Sequence, residues 1–372
     1  MEKTAGDFVS HFSIIRDPRI NRTKLHKLES ILFIAMCAVL SGIESWEGME
    51  EFGEAREEWL KKYVDLAEGI PSHDTFGRVF AQLAPEEFEK SFVSWIGVVY
   101  QKTEGEVVAI DGKTLRGSRR GSVGQSPLHL VSAWASSNRL LLGQVETDEK
   151  SNEIEAVPRL LKILDLKGCI VTIDAMGCQK DIAEKIQDKK ADYVLALKGN
   201  QGTLHEDVKQ YWEDPKLSKE EYDEYETTEK GHGRIEIRKY RITDKLDWLA
   251  PREEWKGLRC IAMVESQREI GGQKTLERRY YLTSLKADAR QFAKAIRAHW
   301  EIENKVHWCL DVTFREDRST VWIKQAARNF SLLRRLAMNM LRKETSTKKS
   351  LNMKRHRAAL NTGYLELVLA IN

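Results

Sequence analysis

Two aspartates in the sequence each close a run of apolar residues. Asp111 ends VVAID (107–111) and Asp174 ends CIVTID (169–174), and both runs are typical of buried strands. The carboxyl ends of strands are where α/β sheets place their reactive groups, so both carboxylates are candidates for catalysis or metal binding. Taken singly, each aspartate is equally well explained as a turn residue or a helix N-cap.

Glu303 is a third acidic candidate, in the segment RAHWEIENKVHWCLDV (297–312), which reads as a helix. Helical spacing places Trp300 and Val306 on its side, so we predict that Glu303 lies in the buried stripe of this helix. A buried, ionised carboxylate is unfavourable unless another charge offsets it. The partner is either a Lys or Arg of the C-terminal helices, or a cation shared with the two aspartates.

Three carboxylates that converge at one place predict a site for divalent cations. Ligand sets made only of oxygen favour Mg²⁺ or Mn²⁺. Two such ions, about 3.5–4 Å apart, hold the attacking and leaving oxygens of a phosphoryl displacement. Asp311, Glu316 and Asp317 in LDVTFRED (310–317) are rival third ligands. We rank Glu303 first because Asp311 lies more than two turns further along the helix.

The carboxylates need a sheet and a helix to bring them together. Residues up to about 100 are predicted to be helical, and their apolar run ILFIAMCAVL (31–40) is too short to span a bilayer. Three strands then form a predicted meander between residues 106 and 148, followed by helix, strand, helix and strand. Residues 220–283 are β-rich, with Gly271-Gly272 as a hairpin turn. The predicted fold class is α/β, with a mixed sheet and flanking helices.

Four motifs in this order resemble those of the H-repeat-associated insertion-sequence transposases. They are AIDGKTLRGS (109–118), TIDAMGCQ (172–179), YVLALKGNQ (193–201) and HWEIENKVHWCLDVTFREDRS (299–319). The resemblance covers roughly residues 10 to 345. It implies a DDE transposase with a ribonuclease-H-like core, in which Asp111, Asp174 and Glu303 are the catalytic residues and hold two Mg²⁺ or Mn²⁺ ions.

The same resemblance, together with the changes of pattern along the chain, predicts five segments. They are a helical N-terminal associated domain (1–100), the first part of the ribonuclease-H-like core (101–204), a β-rich insertion (205–283), the remainder of the core with the glutamate helix (284–345) and a basic C-terminal tail (346–372). The first of these segments is a candidate for DNA binding.

The function that the resemblance implies is the cutting and joining of phosphodiesters at insertion-sequence ends. It also implies the element's terminal repeats and target DNA as partners, a homodimer in the synaptic complex, and a bacterial, cytoplasmic protein that is nucleoid-associated when bound. Two alternatives stay open. One is a non-catalytic, domesticated DNA-binding protein, and the other is a metal-dependent nuclease without strand transfer.

The glutamate motif departs from related cut-and-paste transposases, which carry Tyr, Arg and Lys around the glutamate. Ile296, His299 and Leu310 stand at those places here. Arg297, His299 and Lys305 are therefore candidates to take over the phosphate contacts.

Basic residues elsewhere also suggest contacts with DNA. Lys113 and Arg116 flank Asp111, and Lys198 ends a predicted strand; each is a candidate phosphate contact, with a solvated strand end as the alternative. The net charge of +3 carries no argument for nucleic acid, but Lys and Arg far outnumber acidic residues in 319–358 and 16–27. Such clusters attract a phosphate backbone.

The remaining features bound the class of protein. Five scattered cysteines, without CxxC spacing, argue against a disulfide framework or a zinc ribbon and indicate a reducing compartment. No basic stretch followed by an apolar one begins at Met1, so we expect no signal peptide and no membrane association. His232 is interpreted as a hairpin-tip residue rather than a metal ligand.

Overall fold

One mixed β-sheet runs through the computed structural model of this chain, which describes residues 8–20, 24–118, 127–147, 153–231 and 233–369. Within these ranges nine strands pair in the order β3-β2-β1-β4-β5-β9-β8-β7-β6. The strands are β1 (Val107–Leu115), β2 (Leu128–Ala135), β3 (Leu140–Thr147), β4 (Ile170–Ile173), β5 (Asp192–Leu197), β6 (Asp223–Gly231), β7 (Arg234–Thr243), β8 (Cys260–Ile270) and β9 (Gln273–Thr283). The predicted α/β class with a mixed sheet is confirmed.

The first five strands give the sheet its mixed character. The predicted meander is confirmed, since β1 pairs antiparallel with β2, and β2 with β3. β4 then pairs parallel with β1, and β5 parallel with β4. β4 and β5 read as near-continuous apolar runs because helices cover both faces of this part of the sheet.

Helices lie on both sides of the sheet. Those before it are α1 (Phe8–Phe12), α2 (Leu28–Leu40), α3 (Trp46–Ala55), α4 (Glu57–Leu60), α5 (His73–Gln82) and α6 (Pro85–Val99). Those between strands are α7 (Glu153–Ile163), α8 (Lys180–Asp188) and α9 (Thr203–Glu213). Those after it are α10 (Ala289–His299), α11 (Trp308–Val312), α12 (Lys324–Lys343), α13 (Leu351–Leu360) and α14 (Thr362–Leu369), with a π-helical turn (Ile302–His307) between α10 and α11.

Strand alternation assigns side chains to the two faces. Ile170 and Val194 belong to the apolar cluster that includes α10, whereas Val171 and Leu195 belong to the larger cluster on the other face. This period of two is the pattern of a strand that is covered on both sides. The predicted glutamate helix therefore does cross one face of the sheet.

The first and last helices pack together. α2 is almost wholly buried, as predicted for ILFIAMCAVL, and α12 packs against α2, α5 and α6. α13 also packs against α2, where the buried Arg355 donates to the Val39 carbonyl at 2.9 Å and to Glu44 at 2.6 Å. The segment 346–372 thus contains two helices that are anchored to the beginning of the chain.

The β-rich segment extends the main sheet. β9 pairs antiparallel with β5, and β8, β7 and β6 continue outward. The predicted turn at Gly271-Gly272 is confirmed, with φ values of 57° and 81°, the backbone of a two-residue hairpin. The sequence analysis did not predict the polar edge strand β6. It also assigned most of α9 to the β-rich segment 205–283, although α9 is a helix. His232 lies outside the described residues.

No helix in the described ranges has both the length and the apolar character needed to cross a membrane. The five cysteines are free thiols.

Candidate active site

Asp111 and Asp174 are neighbours because of the register between two parallel strands. The pairing of β1 with β4 ends at Ile110 and Ile173, and each aspartate is the next residue along the chain. Adjacent strands lie about 4.8 Å apart, so the two carboxylates start from adjacent backbone positions.

The surroundings of the two aspartates differ. The prediction that Asp111 ends its strand is wrong, because β1 continues to Leu115 by pairing with β2, where Asp111 faces Ser132. Asp174 does end β4, and its Oδ1 accepts from the Met176 N–H at 3.1 Å. The cap interpretation of Asp174 is therefore correct, but it occupies only one of the two carboxylate oxygens.

Both aspartates line an open cleft of about 1110 Å³. Glu303 lines the same cleft from the π-helical turn, on the side of α10. The structure thus brings the three predicted carboxylates to one cleft. The cleft is also lined by acidic, basic and other polar side chains, namely Glu153, Glu213, Glu277, Asp311, Lys198, Lys209, Arg278, Arg279, His205, His299, His307 and Asn304.

The predicted burial of Glu303 is wrong. The apolar side of this segment is formed by Ile302, Val306 and Leu310, which are fully buried, while Glu303 is exposed to the cleft. A π-helical turn bonds residue i to i+5 and inserts one extra residue into the turn, so ordinary helical spacing does not give the faces here. Such turns are frequent at functional sites. Exposure leaves the carboxylate accessible to a ligand in the cleft.

Negative charge accumulates in the cleft without full compensation. Burial raises the pKa of Asp111 to about 7, and repulsion from Asp174, Glu153 and Glu303 adds to the effect. Burial, with repulsion from Glu153, also raises the pKa of Asp174. Groups of carboxylates that are held together against their repulsion are suited to binding cations.

The donor chemistry of the cleft fits Mg²⁺ or Mn²⁺, since every acidic ligand offers oxygen. In the described part of the chain, however, no three His, Cys, Asp or Glu side chains are already close enough to share one ion.

Two histidines of the cleft are neutral. His307 Nδ1 lies 3.6 Å from Asp111 Oδ2, and burial lowers the pKa of His307 to about 3. His299 Nδ1 lies 2.9 Å from Thr172 Oγ1, and burial lowers its pKa to about 4. His299 thus brings no positive charge with which to replace the arginine of related transposases.

Lys113 is placed inside the protein. Its buried ammonium donates to Asp311 Oδ1 at 2.6 Å and to Asp317 Oδ1 at 3.3 Å. The cation therefore neutralises its own acidic neighbours and is not presented to solvent, where a phosphate would meet it.

The three rival third ligands differ in their ion pairs and in whether they line the cleft. Glu316 is buried and 2.7 Å from the Arg335 guanidinium, and it does not line the cleft. Asp317 also lies outside the cleft lining and pairs with Lys113. Asp311 alone among the three lines the cleft, with its Oδ1 held by Lys113.

The other candidate phosphate contacts are more accessible. Lys198 is exposed and lines the cleft, where its charge opposes the rise in the pKa of Asp174. Arg116 is 84% exposed beside Asp317. Lys305 is exposed on the π-helical turn, and Arg297 pairs with Glu229 at 2.9 Å.

Much of the basic cluster in 319–358 stabilises the fold. Arg328 pairs with Glu89 at 2.9 Å, Arg335 with Glu316, and Arg355 with Glu44. These cations are largely buried within ion pairs, so a count of basic residues overstates the charge available to DNA.

Sequence reasoning missed Glu153 and His129 as members of the site. Glu153 is the first residue of α7, and its Oε1 lies 2.6 Å from His129 Nε2 on β2. An acidic residue in the first turn of a helix is common, so the sequence pattern held no signal that set Glu153 apart.

Comparisons with known proteins confirm the resemblance drawn from the four motifs. Residues 9–96 match the family model described as DDE_Tnp_1-associated, and residues 102–340 match the one described as Transposase DDE domain. "Putative transposase YncI" of Escherichia coli O157:H7 is 45% identical over 366 residues, covering 97% of this chain and 94% of that protein. "H repeat-associated putative transposase YhhI" of Escherichia coli strain K12 is 44% identical over 367 residues, covering 97% of each.

A solved structure of a piggyBac transposase synaptic complex with hairpin DNA also matches, with a TM-score of 0.44 and 12% sequence identity. The match covers 97% of this chain and 77% of that one.

Proposed function

The chain belongs to the family of transposases with a DDE domain, and on that premise we propose that it cuts and joins DNA at the ends of an insertion sequence. In this proposal Asp111, Asp174 and Glu303 are the catalytic carboxylates. The observation that carries it is the adjacency of Asp111 and Asp174 on parallel strands, in a cleft that Glu303 also lines.

The proposed core is ribonuclease-H-like. Support comes from the order of parts: a strand with Asp111, a meander, a helix, a strand with Asp174, another helix and strand, and a later helix with Glu303. We retain the five segments 1–100, 101–204, 205–283, 284–345 and 346–372 as proposed units, with 205–283 as the insertion that shapes the DNA channel.

The proposed reaction has two steps. Water hydrolyses a phosphodiester at the element end and frees a 3′-hydroxyl. That hydroxyl then attacks a phosphodiester of the target strand in line, forming the new P–O bond as the target's P–O3′ bond breaks and its 3′-hydroxyl is released. When bound, two Mg²⁺ or Mn²⁺ ions supply activation of the attacking oxygen and neutralisation of the leaving one.

The residues of the chain prepare the cleft for this reaction. Asp111 and Asp174 present adjacent carboxylates from the sheet, and Glu303 presents a third from the π-helical turn. Lys198 attracts a phosphate to the same cleft. His307 stays neutral beside Asp111, so it leaves the charge of that carboxylate available to a cation.

The partners in this proposal are terminal-repeat and target DNA. Because a synaptic complex holds two ends, a homodimer on DNA is expected, and the proposed location is the bacterial cytoplasm, in association with the nucleoid when DNA is bound.

The test is cleavage and joining of the element's own terminal repeats in Mg²⁺. Asp111→Asn is expected to abolish cleavage while DNA binding persists, and the exposed Asp244→Asn, placed after β7, serves as the matched control. Cleavage without joining would identify a nuclease without strand transfer. Binding without cleavage by the unaltered protein would identify a non-catalytic DNA-binding protein.

A further inference from the structure

Glu153 is a buried carboxylate that the proposed triad does not use. Its side chain is 8% exposed, it begins α7, and it lines the cleft of Asp111 and Asp174. α7 packs against the short turn Ala175–Gly177 that follows Asp174, which keeps Glu153 on the acidic side of the cleft.

Within the part of the chain that the structure describes, hydrogen bonding holds Glu153 through its Oε1 atom. Its Oε1 lies 2.6 Å from His129 Nε2, and His129 Nδ1 lies 2.8 Å from Thr114 Oγ1, so both ring nitrogens are engaged and the ring orientation is fixed. Among the described residues, no further hydrogen bond to the Glu153 carboxylate is found, so Oε2 remains available to a ligand. A nearly buried carboxylate that is oriented through one oxygen and free at the other is arranged as a ligand.

Gly112, the residue after Asp111, makes this approach possible. A Cβ at position 112 would lie 2.3 Å from Glu153 Oε1 and 2.6 Å from His129 Nε2. The carboxylate of Glu153 therefore sits directly against the strand that carries Asp111.

Electrostatics agree with this placement. Glu153 repels both Asp111 and Asp174, and it is the largest charge effect acting on Asp174. A carboxylate that repels two others in the same cleft adds negative charge beyond that of the triad, and this charge favours binding of a cation.

We propose that Glu153 is a fourth carboxylate of the divalent-cation site, held in position by His129. The inference rests on the proposed function, since it assigns a further ligand to the same cleft. It gives the site two carboxylates on the sheet, one at the start of α7 and one on the π-helical turn.

The experiment measures Mn²⁺ binding to the full-length protein without DNA, from the signal of free Mn²⁺ in electron paramagnetic resonance. Glu153→Gln is expected to weaken Mn²⁺ binding about tenfold or more, as loss of a site carboxylate does. Glu155→Gln is the matched control, because Glu155 is exposed on the same first turn of α7, and its binding is expected to equal that of the unaltered protein.

Asp174→Asn separates the two proposals. If Asp174→Asn weakens binding and Glu153→Gln does not, the assignment of Glu153 is wrong and the triad stands. If neither variant changes binding, or the unaltered protein binds no Mn²⁺, the metal site of the proposed function is itself wrong.

A second variant guards against a loss of folding, which circular dichroism would reveal. Glu153→Asp keeps the charge but shortens the side chain by one methylene group. Affinity between those of the unaltered protein and Glu153→Gln is expected, and unchanged affinity would overturn the proposal.

Discussion

Replacement of Asp111 by Asn tests whether burial and the neighbouring carboxylates destabilise the charged form of Asp111. Asp111 is mostly buried, and burial together with Asp174, Glu153 and Glu303 raises its pKa from 3.8 to about 7. Asn has nearly the same shape and no charge. The metal-free Asn variant is therefore expected to be more stable than the unaltered protein above neutral pH, although it is inactive.

The sign and size of the effect follow from linkage. A carboxyl group whose pKa is higher in the folded state binds its proton more tightly there, so its contribution to stability is lost as pH rises from about 4 to 7. Each unit of pKa shift corresponds to about 1.4 kcal/mol, which limits the whole change to roughly 4 kcal/mol. Between pH 5 and pH 8 the advantage of Asn is expected to grow by roughly 2–3 kcal/mol.

The assay is thermal unfolding in EDTA at pH 5 and pH 8. For a chain of this length the expected gain in Tm of the Asn variant over the unaltered protein is about 3 °C larger at pH 8 than at pH 5. Asp244→Asn, at an exposed site, should show no such pH-dependent gain. An equal effect of Asp111→Asn at both pH values would refute the idea that burial and the neighbouring carboxylates raise the pKa of Asp111.

Two further predictions concern groups around the cleft. Arg335→Met removes the closest cation from the buried carboxylate of Glu316, so we expect a loss of about 3–5 kcal/mol in the free energy of unfolding, measured by denaturant titration. The exposed Arg318→Met should change stability little, and equal losses would show that the buried pair is unimportant. Lys198→Ala should weaken DNA binding and reduce the slope of log K against log salt by about one, because one phosphate contact is lost. The same substitution at the exposed Lys219 is the comparison, and an unchanged slope for Lys198→Ala would remove Lys198 from the DNA contacts.

The positions of Asp111 and Asp174 could be predicted from sequence, because the apolar runs and the order of strands and helices indicate the same arrangement. Apolar runs that end at Asp111 and Asp174 indicate buried strands, and two helical connections favour parallel pairing, which places the aspartates at one edge. The helix with Glu303 had to cross the sheet, and its apolar residues predicted that contact.

Other features of the site could not be predicted, because they depend on contacts or hydrogen bonding that the local sequence does not indicate. The acidic partner of Lys113 on α11 is 198 residues away in sequence, so the basic GKT segment looked like a surface feature. The π-helical turn arises from a shift in hydrogen bonding that the spacing of apolar residues does not reveal, and the burial of Glu303 was mispredicted for that reason. Glu153 was missed because it begins a helix, whereas its partner His129 lies on β2, 24 residues earlier in the sequence.

The bond between Arg355 and the Val39 carbonyl spans 316 residues and has a consequence for synthesis of the protein. At 5–20 residues per second, a ribosome needs roughly 15–60 s to travel from one partner to the other. Throughout that interval α2, the most apolar helix near the start of the chain, is outside the ribosome without the cover of α12 and α13. Such a nascent chain is a natural client for chaperones that bind exposed apolar segments, and its yield in cells should depend on them.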